Sequence, residues 1–351
     1  AGKSTWVRQQ GLEDFTVSPD ELRVRMGLYT SRNLQGHYAS NVYKEKKLWN
    51  VLLDIIEERM SRGQLTVIDA THGTPKAINM YRSLCQKYGY RAYVVDFAMP
   101  LDELLKRVAK RNKSVTNLVN NKYIPDSAVK HKYEQLGKSG IPSWVTVTTP
   151  EEASTVIPWR IEKTDEDYFF IGDIHSSYKA LKELWDTEDL DNYNGKVVLL
   201  GDLFDRGIRP VETFKFISQK VQEGKAIMLM GNHDFNLYNL VNGTIIKCPG
   251  HTKKDTFYPL LKGGISEKQI KQFLRRMGQG LFIQKAGHTL YVTHGGIMPV
   301  DMSDPWALSK ISTNEMIYGT GKFEEDIDTA FENYVNTTGD KVVSIHGHRN
   351  L

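Results

Sequence analysis

The sequence predicts an α/β protein of two domains, the first with a parallel sheet and the second also α/β, and three observations predict it. In the first half, apolar runs of strand length alternate with segments of helical period. In the second half, five short apolar runs each stop at a polar cluster: YFFIGDIH, KVVLLGDLFDRG, AIMLMGNHD, TLYVTHGG and KVVSIHGH. Between the halves, GKSGIPSWVTVTTPEEASTVIPW (137–159) carries prolines, Ser and Thr with little helical period. The boundary is therefore placed near residue 155, giving domains 1–155 and 156–351.

A chain of 351 residues has room for two domains of ordinary size. Its 40% apolar and 25% charged content is that of a soluble globular protein. No apolar run reaches the ~18 residues of a membrane span and no signal-peptide pattern is present, so the expected location is cytoplasmic, with no membrane partner. Cys85 and Cys248 lie in different halves without metal-ligand spacing, which predicts reduced packing residues. The net charge of +4 hides an asymmetry: residues 1–150 hold 23 Lys+Arg against 14 Asp+Glu, the remainder 23 against 28. A basic front half suits a polyanionic ligand, although an ordinary basic surface has the same composition.

Taken in order, Gly2-Lys3-Ser4-Thr5 has the form of the end of a phosphate-binding loop, G-x-x-x-x-G-K-[ST], without the glycine-rich lead-in or its strand. The expectation is a polypeptide truncated at both ends and, as written, a poor kinase. Trp6–Gln10 can continue as the helix whose amides face phosphate, with Lys3 reaching the β/γ-phosphates and Ser4 coordinating Mg²⁺. Ser18-Pro19-Asp20-Glu21 has a capping-box pattern with proline at N1. Asp20 then lies in the first helical turn and Arg23 one turn further. Asp20 there either complements the helix dipole or acts as base for a hydroxyl, with Arg23 as a phosphate clamp; periodicity alone favours the former.

Leu48, Val51, Leu52, Ile55, Ile56 and Met60 recur at helical spacing before Gly63. LTVIDA (65–70) reads as a buried strand ending in Asp69. A helix is expected from Pro75 to Tyr88, a strand over RAYVVDFAM (91–99), and a helix from LDELLKRVAKR after Pro100. Lys106, Arg107, Lys110, Arg111 and Lys113 form either a solvated face or a lid over transferring phosphates.

With GKST, Asp20-x-x-Arg23, strand-end Asp69, the arginines Arg107 and Arg111, and IPDSAVKHKYEQL in that order, residues 1–136 resemble the phage-type polynucleotide 5′-kinases. The resemblance implies that Asp20 activates a 5′-hydroxyl and that Arg23 contacts the acceptor's 3′-phosphate. It implies that Asp69 helps position the acceptor, and that Gly2, Lys3, Ser4, Thr5, Arg107 and Arg111 hold the phosphates of ATP or GTP with Mg²⁺.

In the second half, Asp173 and His175, then Asp202, then Asn232-His233 end successive runs at intervals of 29 and 30 residues, about one βαβ unit each. His294 and His348 end two more. One GD or GNH would be ordinary turn chemistry; five such clusters at strand ends are an Asp/His/Asn donor set for two divalent ions. These motifs resemble the calcineurin-like metallophosphoesterases, in the branch carrying GDxxDRG, over residues 165–351. The resemblance implies that Asp173, His175 and Asp202 hold one metal, with Asp202 bridging, and that Asn232, His294 and His348 complete the second. It makes His233 the general acid, Asp205 its orienting carboxylate, and Arg206 the phosphate clamp. His346 and His348 compete for the last ligand position; Gly347 favours His348, as in the family's GH signature. His251 and His288 are expected to be structural or surface residues.

A 5′-kinase and a phosphatase on one chain act on different termini and make sense for a broken nucleic acid strand, whose 5′-OH and 3′-phosphate or 2′,3′-cyclic phosphate must both be healed before ligation. The expected function is therefore end healing of RNA or DNA strands, with two divalent ions, manganese first among them, in the phosphatase. A ligase is a candidate partner, and the host cytoplasm the location if the chain is phage-encoded. The alternative is a serine/threonine or diadenosine polyphosphate phosphatase with a regulatory nucleotide-binding front domain.

Overall fold

The computed structural model describes residues 2–32, 38–40, 45–113, 124–138, 140–244, 249–320 and 327–348. Two compact units emerge: Ala1–Pro158 with Asp304–Lys310, and Trp159–Ser303 with Ile311–Leu351. The segment 304–310, which the sequence division leaves in the second half, thus joins the first unit. Its Trp306 is 2% exposed and shares a cluster with Val7 and Leu12. Among the described residues no helix is long and apolar enough to cross a membrane.

In the first unit, helix Lys3–Gln9 begins directly after Gly2. Ser18 caps helix Pro19–Arg25 by accepting from the Glu21 amide at 3.4 Å, with proline at N1. Helix Glu45–Ser61 buries Leu48, Leu52, Ile56 and Met60, the 3.6-residue stripe visible in the sequence. Two short parallel pairs accompany these helices: Thr16–Val17 with Val67–Ile68, and Tyr93–Val95 with Thr146–Thr148. The strands are shorter than their apolar runs because only these residues find ladder partners. The helix expected over 75–88 divides into Pro75–Asn79 and Arg82–Tyr88. Tyr81, at the join, is 8% exposed and its hydroxyl lies 2.9 Å from His72 Nε2. Cys85 is a free, half-buried thiol, and burial raises its pKa; Cys248 lies outside the described residues.

The second unit is built on a parallel sheet, Asp167–Ile171, Gly195–Leu199 and Ala226–Met228, with the middle strand between the others. Alternation along VVLL sends Val197 and Leu199 to a cluster with Leu181, Trp185 and Phe214 from flanking helices. Val198 and Leu200 face the opposite way, packing with Val292 and Ile345 of a second sheet. Burial on both faces is why this strand reads as an unbroken apolar run. The second sheet is mixed: His288–Thr293 pairs antiparallel with Gly280–Lys285 and parallel with Val342–Ile345. The consecutive strands that lead to Asp173, Asp202 and Asn232 are parallel, as expected, while in the second sheet a tight turn joins 280–285 to 288–293.

Candidate active site

The parallel ladder of the second unit sets Asp173, Asp202 and Asn232 at the carboxyl ends of neighbouring strands. The second sheet supplies His294 and His348. His294 Nε2 lies 3.2 Å from Asn232 Oδ1 and 3.4 Å from Asp202 Oδ1. His175 Nε2 lies 3.8 Å from Asp202 Oδ2 and 3.9 Å from Asp173 Oδ2. His348 donates its amide to Asp173 Oδ1 at 3.2 Å, and its ring centroid is 5.0 Å from that of His294. Donor atoms of Asp202, His294 and His348 all lie within 4.8 Å of one another. His346 instead aims its Nε2 at Asp328, 3.5 Å away.

Backbone carbonyls orient the imidazoles. His294 Nδ1 is 2.9 Å from Leu200 O and His175 Nδ1 is 3.0 Å from Phe204 O, which leaves each Nε2 facing the carboxylates. Burial lowers the His294 pKa, but its hydrogen bond to Asp202 and the Asp202 charge outweigh this and hold it above its ordinary value. Burial raises Asp202, yet the same bond, the charge of His294 and the His233 amide hold it below the ordinary carboxylate range. Oxygen and imidazole donors aimed at a common centre, with Asp202 and His294 buried, fit two divalent cations.

This convergence strains the backbone. Among the described residues eight non-glycine residues have positive φ, and six of them belong here: His175, Ser176, Asp202, Asp205, Arg206 and His348. Such conformations cost about 1–3 kcal/mol each and persist where surroundings over-determine them. Close approach also explains the glycine of GNHD, since a Cβ on Gly231 would overlap the Asp202 amide and Oδ1.

Beside the metal donors, His233 Nδ1 lies 2.8 Å from Asp205 Oδ2, and Arg206 Nη2 lies 3.3 Å from His233 Nε2. Asp205 is fully buried; burial raises its pKa, but hydrogen bonds from His233, Thr256 and Thr252 hold it low. A cleft of about 310 Å³ opens here, lined by Arg206, Asn232, His233, Asn236 and His251.

In the first unit, Ser4 Oγ donates to Asp69 Oδ2. Lys3 is near enough to His72 for its charge to add to the burial that lowers His72's pKa. Thr5 is exposed. Asp20 accepts from Arg23 Nη1 at 2.5 Å, while Arg23 also forms a two-pronged pair with Glu45 at 2.8 and 2.9 Å. The two arginines of the expected lid separate. Arg107 pairs with Glu103 at 2.7 Å on the exposed helix face. Arg111 is substantially buried, which lowers its pKa, and the charge of Asp20 opposes that shift.

Family models match both halves: an AAA domain over residues 1–128 and a calcineurin-like phosphoesterase over residues 168–351. The chain belongs to the calcineurin-like phosphoesterases. Its calcineurin-like region follows an N-terminal AAA-type domain. Curated relatives include the symmetrical bis(5′-nucleosyl)-tetraphosphatases of Aliivibrio salmonicida, 32% identical over 37% of this chain and 45% of the relative, and Nitrosospira multiformis, 28% identical over 37% and 44%. The chain thus spans less than half the length of these relatives. A solved metallophosphoesterase from Sphaerobacter thermophilus is 18% identical over 38% of this chain and 48% of its own, with a TM-score of 0.26, too low to carry an argument.

Three features of the phosphoesterase site escaped the sequence reading. Asp234 ends the GNHD motif and was legible as an acid in the first helical turn. Its buried carboxylate accepts from the amides of Gly231, at 3.1 Å, and Leu203, at 3.1 and 3.3 Å, tying two site loops together. Burial, with the Asp202 charge, pushes its pKa well up against those amide bonds. Thr252 and Thr256 are presented to Asp205 by one face of a π-helical turn; separated from it by 47 and 51 residues, they leave no local signal. His251, expected to be structural or on the surface, is exposed at the cleft, and what the sequence did not show is that its Nε2 lies 3.6 Å from Asp205 Oδ2. His288 does lie at an exposed turn, with Nδ1 3.2 Å from Ala286 O.

Proposed function

We propose that the chain is a nucleic acid end-healing enzyme, phosphorylating 5′-hydroxyl ends with a nucleoside triphosphate and removing 3′-phosphate or 2′,3′-cyclic phosphate. The observation that carries this choice is Asp20. A half-exposed carboxylate in a first helical turn, flanked by Arg23 and within the field of Arg111, suits activation of an acceptor hydroxyl. The same carboxylate also complements the dipole of its helix, so the choice is decided by transfer activity of an Asp20 variant. Ser4 and Asp69 together suit a Mg²⁺ site, which would put Asp69 on the donor side as well as near the acceptor. Lys3, with Gly2 and Thr5 beside it, would neutralise donor phosphates, helped by Arg111. Arg107 would have to leave Glu103 to join them.

In the phosphoesterase half, Asp173, His175 and Asp202 would hold one cation, and Asp202, Asn232, His294 and His348 the other. When bound, such a pair lowers the pKa of water enough to supply hydroxide near neutral pH. Manganese suits the mixed oxygen and nitrogen donors. Arg206 binds two phosphoryl oxygens in its planar fork. His233 gives its Nε2 proton to the departing oxygen, while Asp205 accepts from Nδ1–H and so fixes the ring's tautomer.

A second reading, a dinucleoside tetraphosphate hydrolase, is favoured by the names of the relatives. Competition among a 3′-phosphorylated oligonucleotide, diadenosine tetraphosphate and a phosphopeptide, each assayed with manganese, separates the possibilities. Preference for the oligonucleotide is expected. Preference for either other substrate would replace end healing with the corresponding alternative. Strand ends would be the partners, with a ligase acting on the healed product.

A further inference from the structure

We propose that Asp205, His233 and His251 form a separate cation site at which Zn²⁺ binds and disables the general acid. The inhibitory consequence rests on the acid role given to His233 above; the site itself rests on geometry. Asp205 Oδ2 lies 2.8 Å from His233 Nδ1 and 3.6 Å from His251 Nε2. One donor atom from each residue lies within 4.8 Å of the others. A carboxylate and two imidazoles, each binding at about 2.0–2.2 Å, are a usual zinc donor set that keeps a fourth position for water.

The surroundings match what such a site requires. Thr252 Oγ1 donates to Asp205 Oδ2 at 2.7 Å and Thr256 Oγ1 donates to Oδ1, while the Asp205 amide returns a bond to Thr256 at 3.0 Å. The carboxylate is therefore fixed before any ion arrives, as outer hydrogen bonds fix metal ligands elsewhere. His251 is the adjustable member: its side chain is 47% exposed and its ring centroid is 5.3 Å from that of His233. The cleft gives the entry path. Arg206, the nearby cation, approaches the other nitrogen of His233, so its charge stands off the zinc-facing edge.

Binding exchanges the Nδ1 proton of His233 for Zn²⁺, and that proton leaves to solvent. The ring can then surrender its remaining Nε2 proton only by becoming an imidazolate. That is a far weaker acid than imidazolium, so departure of a poor leaving group suffers most.

The test uses the full chain loaded with manganese and titrated with zinc, with β-glycerol phosphate and p-nitrophenyl phosphate as substrates. Zinc is expected to slow the glycerol ester by roughly 100-fold, the scale of acid catalysis, and the nitrophenyl ester much less. His251→Ala, normalised to its own zinc-free rates, should lose this selectivity. Equilibrium dialysis of the manganese-loaded proteins should find one more zinc on the wild type than on H251A. Equal zinc uptake by both proteins, or equal inhibition of both esters reversed by excess manganese, would overturn the proposal. If neither ester is hydrolysed, the phosphoesterase reading falls, while dialysis still decides the zinc site.

Discussion

The two phosphate-handling regions are built to opposite specifications. In the phosphoesterase unit, Asp202, Asp205 and His294 are 2%, 0% and 0% exposed, and each is fixed by backbone or buried side-chain partners. In the nucleotide-binding unit, Asp20 is half exposed, Ser4 is exposed, and the charged groups are occupied with one another. A hydrolase that relies on metal ligands must hold its donors before the ion arrives, because like-charged carboxylates would otherwise separate. Under the proposed kinase reading, Arg23 and Arg107 would exchange their carboxylate partners Glu45 and Glu103 for substrate phosphates.

The largest effect that would break this contrast comes from Asp202→Asn. Removing the shared carboxylate should reduce ester hydrolysis to background and lower metal loading, measured by atomic absorption after gel filtration; retention of both would mean that the convergence is not a metal site. Gly231→Ala should come next. Its Cβ collides with Asp202, so calorimetry should show a loss of about 1–3 kcal/mol, with reduced metal content. His233→Ala should lower hydrolysis of an alkyl phosphate by roughly 100-fold and of p-nitrophenyl phosphate far less; equal losses would remove the acid role.

A smaller effect sharpens the comparison through pH. The folded-state pKa of Asp205 is depressed, so its stabilisation is complete above the ordinary value of about 3.9 and fades as pH falls through the folded value. The double variant Thr252→Ala, Thr256→Ala raises that folded value, and the acid-unfolding midpoint should move to higher pH. The smallest effect on stability belongs to Asp20→Asn, about 1 kcal/mol or less for an ion pair this exposed, while transfer of γ-phosphate to a 5′-hydroxyl is abolished. Marked destabilisation without loss of transfer would make Asp20 only a helix-dipole partner.

The sequence by itself determined the strand-end placement of the polar clusters. Short continuous apolar runs closed by GD, GNH and GH read as buried strands that present those residues in loops at their ends. It also determined the cap at Ser18 and the apolar stripe of helix 45–61, since both depend on residues three or four apart. Only the tertiary structure decided which groups meet. That Thr252 and Thr256 serve Asp205, that Asp69 meets Ser4, and that His348 rather than His346 turns toward His294 are outcomes of long-range packing. A hydrogen bond across tens of residues leaves no periodic trace in the chain, because its partners are brought together by the sheets and not by their own neighbours.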